Sequence, residues 1–436
     1  MSEALLALAA VSLGVALQIS DGQYAPPALA LVAVSLGATL AALLGRGPRL
    51  DERKVVALLG VLVAGQLALL FLQPVALDVT GSQGPFLGLA AAAAAVLGVL
   101  AVDPPALARR RALLLALFVG LYLAAGVWLL RHAPPETDVF NFQRAALEAF
   151  RHGRDPYAIK FRNMYHPYEG FYGPGLVKKG ILQFGYPYPP LPFFLAGAAL
   201  PLGDIRYAHL ASLVLAGTAI AVTHRRIGPL AAGLLLFSPR VGLLLQMGWT
   251  EPFVILFLAL TVLCARRARR LLPVALGLLL ASKQYLVILA PAALLLVEEG
   301  PQRARRAVRL LLVAIGVAAA VTLPLALWDL GAFIRSAVTL QFHQPFRDDA
   351  LSFSALLARL GGPRLSWPPL LLGPAALGLA VWKAPRSPAG FAATTAFVFL
   401  VFFAFNKQAF CNYYFFPLAA LSCAVASARV ERERPS

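Results

Sequence analysis

A carboxylate near the start of the longest polar interval is the first residue whose type and position could do chemistry. Thr137 and Asp138 follow an apolar segment by a few residues and open a polar stretch that extends to Pro190. A carboxylate held at such an exit can act as a general base toward a hydroxyl group. The structural alternative is helix capping, for which Thr and Asp are both suitable residue types. We favour the chemical role for Asp138, and the two roles can coexist.

Two more ionisable residues, Glu251 and Arg240, lie at the ends of apolar runs. Ionisable residues in such positions commonly serve a function. Glu251 could contact a substrate, or it could only occupy the first turn of a helix that starts at Thr250. Arg240 could bind a phosphate group in a cavity, or its side chain could extend to the rim of the apolar region.

Basic residues in three further polar breaks are candidates for binding phosphate, because a fixed cation stabilises negative charge. Lys283 separates two short apolar runs, and Lys407 lies between two runs near the C-terminus. Arg347 belongs to a polar loop that also contains His343, a candidate for phosphate or substrate contacts. The structural alternatives are a lysine at a helix end and, for Arg347, an ion pair with the adjacent aspartates 348–349. We favour ion pairing over metal binding for those two aspartates.

The polar stretch is rich in aromatic residues between Tyr157 and Tyr188. We expect most of them to form an aromatic belt at the membrane interface. Aromatic rings also pack against the C–H faces of sugar rings, and we assign this role to Tyr186 and Tyr188.

The elements that position these residues must be membrane helices, because 60% of the 436 residues are hydrophobic and only 13% are charged. The mean hydropathy is +0.75, and a soluble domain of this length could not bury so much apolar surface. The net charge of +18 comes from short basic clusters between apolar runs, which indicates membrane orientation and not nucleic-acid binding. The three cysteines show neither disulfide nor metal-ligand spacing.

The hydrophobic pattern predicts an all-α polytopic integral membrane protein with about 14 transmembrane helices. The first run lacks the features of a signal peptide, so we expect it to be retained as a helix. The two runs that flank Lys283 are either two tilted spans or two half-helices. The runs lie at about 3–19, 26–45, 55–77, 85–102, 112–130, 206–223, 229–245, 250–265, 270–282, 285–297, 307–328, 366–382, 389–405 and 413–428.

Basic clusters fall in alternate connections between these runs, and such clusters mark the cytoplasmic side. Both termini are then cytoplasmic, and the segments 131–205 and 329–365 lie together outside. The short outer connections carry Asp21 and Asp78. The clusters include Arg46 to Lys54, Arg109 to Arg111, Arg225 and Arg226, Arg266 to Arg270, Arg303 to Arg309, Lys383 and Arg386, and Arg429 to Arg434.

Two surface helices are expected in the first large outer loop. The alternation requires the Pro-rich run 190–203 to lie on the membrane surface without crossing it. The amphipathic stretch 138–151 should form the other helix, with its aromatic side chains toward the membrane.

Several of these features together resemble a known superfamily. An acidic residue after a membrane helix, the motif Gly-Arg-Asp-Pro-Tyr at 153–157 and the motif Tyr-Pro-Tyr-Pro-Pro-Leu-Pro at 186–192 resemble the GT-C membrane glycosyltransferases. Within that superfamily the chain looks most like the bacterial polyprenyl-phosphate-mannose-dependent mannosyltransferases. The resemblance covers roughly residues 112–428, within a GT-C-like core at 112–436, and leaves 1–111 as additional N-terminal transmembrane helices.

The resemblance implies an enzyme of the bacterial inner membrane with its active site on the outer face. Such an enzyme would transfer mannose or another hexose, with inversion, from a polyprenyl-phosphate-linked donor to a lipid, glycan or protein acceptor. Asp138 matches the position of the general base, and the family pattern also places a lysine near Lys283. With Lys283, we expect Arg347, Lys407 and Arg240 to bind the donor phosphate, and Glu251, Tyr186, Tyr188 and His343 to contact sugar or acceptor.

No cofactor is expected. The chain has no Asp-x-Asp at Asp138, so the sequence does not require a divalent metal, and it shows no nucleotide-phosphate loop.

Two other classes of function remain open. A transporter or flippase for a polyprenyl-linked lipid would suit broken helices near Lys283 and an intramembrane charge such as Arg240. A non-catalytic assembly subunit would need no acid–base group at all. The feature that distinguishes them is whether Asp138 and the outer basic residues converge on one cavity.

Overall fold

Runs of Ala, Leu and Val with few internal turn residues form helices throughout this chain. The computed structural model describes residues 1–72, 83–165 and 171–428. Two short strands within the described part, β1 Val177–Lys178 and β2 Ile181–Leu182, pair antiparallel. The α-helices are α1 Glu3–Ser20, α2 Pro26–Leu43, α3 Glu52–Leu72, α4 Gln83–Val102, α5 Arg111–His132, α6 Asp138–Arg151, α7 Pro190–Gly197, α8 Arg206–Ala221, α9 Ile227–Leu236, α10 Val241–Gln246, α11 Glu251–Arg267, α12 Leu272–Ala281, α13 Arg303–Ala326, α14 Leu330–Phe333, α15 Leu340–His343, α16 Phe353–Arg359, α17 Pro368–Lys383, α18 Pro388–Ala404 and α19 Cys411–Ser427.

Five shorter segments complete the described helical structure. A π-helical segment, Ile334–Thr339, joins α14 to α15. The 3₁₀ helices are Pro105–Arg110, Leu200–Leu202, Arg269–Leu271 and Gln284–Leu296.

The expectation of an all-α membrane protein is confirmed at this level. Six helical segments of the described residues are long and apolar enough to cross a membrane. They are Glu3–Ser20, Pro26–Leu43, Glu52–Leu72, Gln83–Val102, Pro105–His132 and Arg303–Ala326. The count of about 14 spans stays a prediction. Asp78, the end of the 55–77 run, Tyr168 and the basic cluster after Ala428 lie outside the described residues.

The predicted run 229–245 is wrong as a single helix, because the structure breaks it into α9 and α10. The break contains Pro239, which has no backbone N–H to donate and whose ring clashes with the preceding turn. The pair of runs around Lys283 is also shorter than two full spans. The first run forms the ten-residue helix α12, and the second forms the 13-residue 3₁₀ helix Gln284–Leu296.

The connections between helices gather at two ends of the bundle. At one end Arg266 donates to the carbonyl of Ser427, Arg269 pairs with Glu298, and Arg386 pairs with Glu299. The 18-residue helix α1 starts at this end and reaches the other after about 27 Å. We call this the basic end, and it also holds the Arg111–Asp103–Arg225 cluster.

The N-terminal helices pack directly on the rest of the bundle. Helix α1 contacts α19, α2 contacts α18, and α3 contacts α9. The proposed boundary near residue 111 stays a prediction, but the two parts share one apolar core.

The first large loop has an apolar core of its own, which corrects the expected membrane belt. Phe142, Tyr157, Phe161, Tyr172 and Phe184 are buried within this loop core. Helix α6 therefore packs Phe140 and Phe142 into this core, whereas Phe150 near its end is 38% exposed. The predicted range of α6 is confirmed, and its N-cap is Thr137, whose hydroxyl accepts from the backbone N–H of Phe140.

The Pro-rich run after this loop does not form a spanning helix. Helix α7 has eight residues and is followed by the 3₁₀ turn Leu200–Leu202. A helix of that length covers about 12 Å, far less than the hydrocarbon core of a bilayer. Phe193 on α7 packs into the loop core, so the loop and α7 are one unit.

Candidate active site

A cavity of about 520 Å³ lies at the end of the bundle opposite the basic end. The first large loop, the segment 340–349, the α10–α11 connection, the residues around Lys283 and the start of α19 form its walls. The connection between α1 and α2 contributes to it as well. Of the predicted site residues, Asp138, Tyr188, Lys283 and Arg347 line this cavity.

Asp138 is held by groups of the loop core. Its Oδ2 accepts a hydrogen bond from the hydroxyl of Tyr172 at 2.8 Å, and its Oδ1 accepts from the backbone N–H of Val139 at 2.8 Å. Tyr165 also interacts with this carboxylate. Because Thr137 is the helix cap, Asp138 is left to face the cavity.

The electrostatic setting of Asp138 differs from that of the other cavity carboxylates. Asp21 and Asp349 each form an ion pair with an arginine. Within the described residues, the hydrogen-bond donors to Asp138 are neutral and no cation lies within ion-pair distance of it. Burial raises the pKa of Asp138 above its ordinary value, although the bonds from Tyr172 and Val139 oppose this. A carboxylate with a raised pKa and neutral donors suits proton transfer near neutral pH.

Lys283 and Glu251 form a buried ion pair beside the cavity. Lys283 Nζ lies 2.8 Å from Glu251 Oε1 and donates to Thr250 Oγ1 at 2.6 Å. Asn412 donates a second hydrogen bond to Glu251 Oε1. Glu251 is 0% exposed and does not line the cavity, and its contact with sugar or acceptor stays a prediction.

Lys283 reaches the cavity although it is tied to Glu251. Its Nζ lies 4.7 Å from the centroid of the Tyr188 ring, a distance suited to cation–π attraction. Tyr188 and Lys283 both line the cavity. Tyr186, in contrast, is fully buried and does not line the cavity, and its contact with sugar stays a prediction.

Arg347 lines the cavity and forms a bidentate ion pair with Asp349. Its Nε and Nη2 donate to Asp349 at 2.8 and 2.6 Å, and its guanidinium lies 4.2 Å from the Phe171 ring centroid. The bond from Arg347 holds the pKa of Asp349 below its ordinary value. Asp348 pairs with Arg364 instead, so each of the two aspartates forms an ion pair with a different arginine, and the expected ion pairing is confirmed.

Three other candidates lie outside the cavity wall, which corrects their expected placement. Lys407 donates to the carbonyls of Phe342 and Gln344 and so fastens two loops together. Burial lowers the pKa of Lys407. His343 is exposed, and its Nδ1 lies 3.0 Å from the carbonyl of Thr339.

Arg240 is the third candidate outside the wall. It is buried against the end of α1, where its Nε lies 2.5 Å from Asp21 Oδ1 and its Nη2 donates to the carbonyl of Gln18. Its charge is therefore directed to Asp21 and not to a phosphate in the cavity.

The structure adds residues that the sequence pattern did not single out. Tyr172 was assigned to the interfacial belt, yet it is 3% exposed and donates to Asp138. Asp21 was noted only as an acidic residue of a short connection, and Gln23 was not noted, but both line the cavity. These residues lie far from their partners in the sequence, so the residues next to them give no indication that they contact Asp138 or line the cavity.

Within the described ranges, no group of three or more His, Cys, Asp and Glu side chains could hold a metal ion. That the sequence requires no divalent metal stays a prediction. No protein-family model, curated protein or solved structure matches the chain.

Proposed function

We propose that this chain is a GT-C-like inverting glycosyltransferase that uses a polyprenyl-phosphate-linked hexose, such as mannose, as its donor. The observation that carries the proposal is the meeting of Asp138, Lys283, Arg347 and Tyr188 in one cavity. These residues come from segments up to 209 positions apart (347 − 138), so a shared local pattern does not explain their meeting.

Asp138 is the general base in the proposed reaction. The hydroxyl oxygen of the acceptor attacks the anomeric carbon while Asp138 takes the hydroxyl proton. A new glycosidic C–O bond forms on one face of the sugar, and the bond between the anomeric carbon and the phosphate oxygen breaks on the other. The polyprenyl phosphate leaves with the bonding electrons, and the configuration at the anomeric carbon inverts.

The cations of the cavity stabilise the charge that develops on the leaving phosphate. Arg347 is the more accessible of the two, with 20% of its side chain exposed against 7% for Lys283. A phosphate near Arg347 shares the guanidinium with Asp349. Lys283 stabilises the negative charge of the phosphate electrostatically from the cavity wall, and it stays paired with Glu251.

The proposed location is the bacterial inner membrane, with the basic end in the cytoplasm and the cavity on the outer face. The support for this orientation is the gathering of the basic clusters at one end of the bundle. The acceptor is a lipid, a glycan or a protein that reaches the outer surface, and both termini are then cytoplasmic.

A transporter of a polyprenyl-linked lipid is the second candidate, and the break between α9 and α10 favours it. Broken helices line substrate sites in many transporters. The two functions differ in their product: an enzyme makes a new glycosidic bond, whereas a transporter returns the same lipid-linked sugar on the other side.

The test is transfer of radiolabelled sugar from polyprenyl-phosphate-mannose in membranes that contain the chain. Asp138→Asn should lower the transfer rate by about 10²- to 10⁴-fold, the usual contribution of a positioned base. Glu136→Gln is the matched control, because Glu136 is an exposed acid two residues away that does not line the cavity. Undiminished transfer by Asp138→Asn would remove this residue from the mechanism.

A further inference from the structure

The connection between α1 and α2 is built into the cavity wall, although the resemblance to known enzymes begins only after residue 111. Asp21 and Gln23 both line the cavity. The backbone N–H of Tyr24 donates to the carbonyl of Asp349 at 2.8 Å, and Gln23 forms an antiparallel bridge with Ala350. The hairpin tip is therefore attached to the segment that carries Arg347.

Gly22 allows the same tip to touch the start of α19. Its φ of +75° favours glycine, and a Cβ at this position would lie 2.0 Å from the backbone nitrogen of Cys411. Any larger residue would push the tip away from α19, whose first turn includes Asn412 of the cavity wall. The tip is thus fixed on both sides by close backbone contacts.

Asp21 is exposed to the cavity while a buried cation holds it from behind. Its side chain is 56% exposed, whereas that of Arg240 is 8% exposed. Because more than half of the Asp21 side chain is exposed and the residue lines the cavity, its carboxylate can accept hydrogen bonds from a ligand there. A carboxylate repels phosphate and accepts hydrogen bonds from hydroxyl groups, and the neighbouring Gln23 amide can both donate and accept.

We infer that the hairpin tip Asp21–Gln23 is a recognition element for the hydroxyl groups of the substrates, and that Arg240 is its positioning residue. This inference rests on the proposed function, since it assigns a wall of the same cavity. The hydroxyl-binding wall is then contributed by the α1–α2 connection, and the phosphate-binding cations by segments after residue 280.

Steady-state transfer with the full chain in lipid nanodiscs tests this inference. Asp21→Asn is tolerated by the left-handed backbone at this position and removes the charge. It should raise the KM of at least one hydroxyl-bearing substrate by about tenfold or more, as expected for a lost hydrogen bond to a charged group. Inhibition by farnesyl phosphate, which carries phosphate but no sugar, should stay at the wild-type value. Gln23→Ala should raise the same KM by a smaller factor.

A matched pair of glycine variants tests the position of the tip. Gly22→Ala and Gly45→Ala introduce the same methyl group at nearly equal φ values of +75° and +73°. Only Gly22 has neighbours within 4 Å of the added carbon, so only Gly22→Ala should raise the KM.

The outcomes separate this inference from the proposed function. Wild-type protein that transfers no sugar overturns both. Wild-type transfer with unchanged KM values in Asp21→Asn and Gln23→Ala overturns the inference alone. A loss in Asp21→Asn that also weakens farnesyl phosphate inhibition would give Asp21 a structural role, and the inference would then be wrong.

Discussion

Helices α6 and α11 both begin at the cavity with Thr followed by an acidic residue, and the two acidic residues have opposite surroundings. At α6, Thr137 caps the helix and Asp138 faces the cavity with neutral donors. At α11, the hydroxyl of Thr250 accepts from Lys283 instead of capping the helix, and Glu251 is fully buried in an ion pair. The same local pattern therefore yields a carboxylate that lines the cavity in one place and a fully buried, paired carboxylate in the other.

The difference arises from what packs over each helix start. Helix α6 starts under the loop core, which supplies tyrosine hydroxyls and no cation. Helix α11 starts against the residue that separates α12 from the following 3₁₀ helix, and that residue is a lysine. Glu251 is therefore tied to Lys283, whereas Asp138 accepts hydrogen bonds from neutral groups and lines the cavity.

The largest expected effect in this comparison is on stability, at the α11 site. Lys283→Met leaves the charge of Glu251 buried without a cation, which should cost about 3–5 kcal/mol. The melting temperature in detergent should fall clearly. The double variant Lys283→Met/Glu251→Gln removes both charges and should recover part of the loss. A double variant that melts no higher than Lys283→Met would show that the uncompensated charge is not the cause.

The next effect concerns the pH dependence of transfer at the α6 site. The hydroxyl of Tyr172 stabilises the ionised form of Asp138 and so lowers its pKa. Tyr172→Phe removes that bond, and the pKa of Asp138 rises further. Since the base acts when deprotonated, the acid limb of the pH–rate profile should move to higher pH.

Tyr186→Phe is the control for that experiment. Tyr186 lies in the same loop core, and its buried hydroxyl has no hydrogen-bond partner among the described residues. Its removal should leave the pH–rate profile in place. Equal shifts in Tyr172→Phe and Tyr186→Phe would mean that general loosening of the loop, and not the bond to Asp138, sets the profile.

The smallest expected effect is the change in stability on replacing Asp138 itself. Because the folded-state pKa of Asp138 is raised above its unfolded value, folding favours the protonated form. Its contribution to stability is present below the unfolded pKa and is lost as pH rises through the folded pKa. At pH 7 Asp138→Asn should therefore leave the melting temperature unchanged or raise it. A clear drop at pH 7 would place Asp138 with Glu251 as a structural carboxylate.

Much of the helical framework could be predicted from the sequence, because apolar periodicity and turn residues act locally. Helix α6 begins and ends where the pattern put it, and Thr137 is its cap as the residue types suggested. The break at Pro239 was missed, since the surrounding residues are apolar enough to read as one run. The burial of the loop's aromatic residues in a core was also not predicted, because a membrane belt and a loop core require the same residue types.

The candidate site was only partly predictable. Asp138, Lys283, Arg347 and Tyr188 meet in the cavity, whereas Arg240 and Lys407 had equally good local patterns and lie outside it. A charged residue at the end of an apolar run looks the same in sequence whether its side chain faces a cavity or binds a neighbouring carbonyl or carboxylate group. Asp21 shows the converse, since its role depends on contacts with Arg240 and with the 349–350 segment.

The sequence by itself determined the class of this protein: an apolar, helical chain with basic clusters in alternate connections and an acid at the start of α6. Those properties depend on composition and on neighbours a few residues apart. Only the tertiary structure decided which acid is paired and which faces the cavity. It did so because Tyr172 reaches Asp138 across 34 residues and Lys283 reaches Glu251 across 32, and distances of that kind are set by packing.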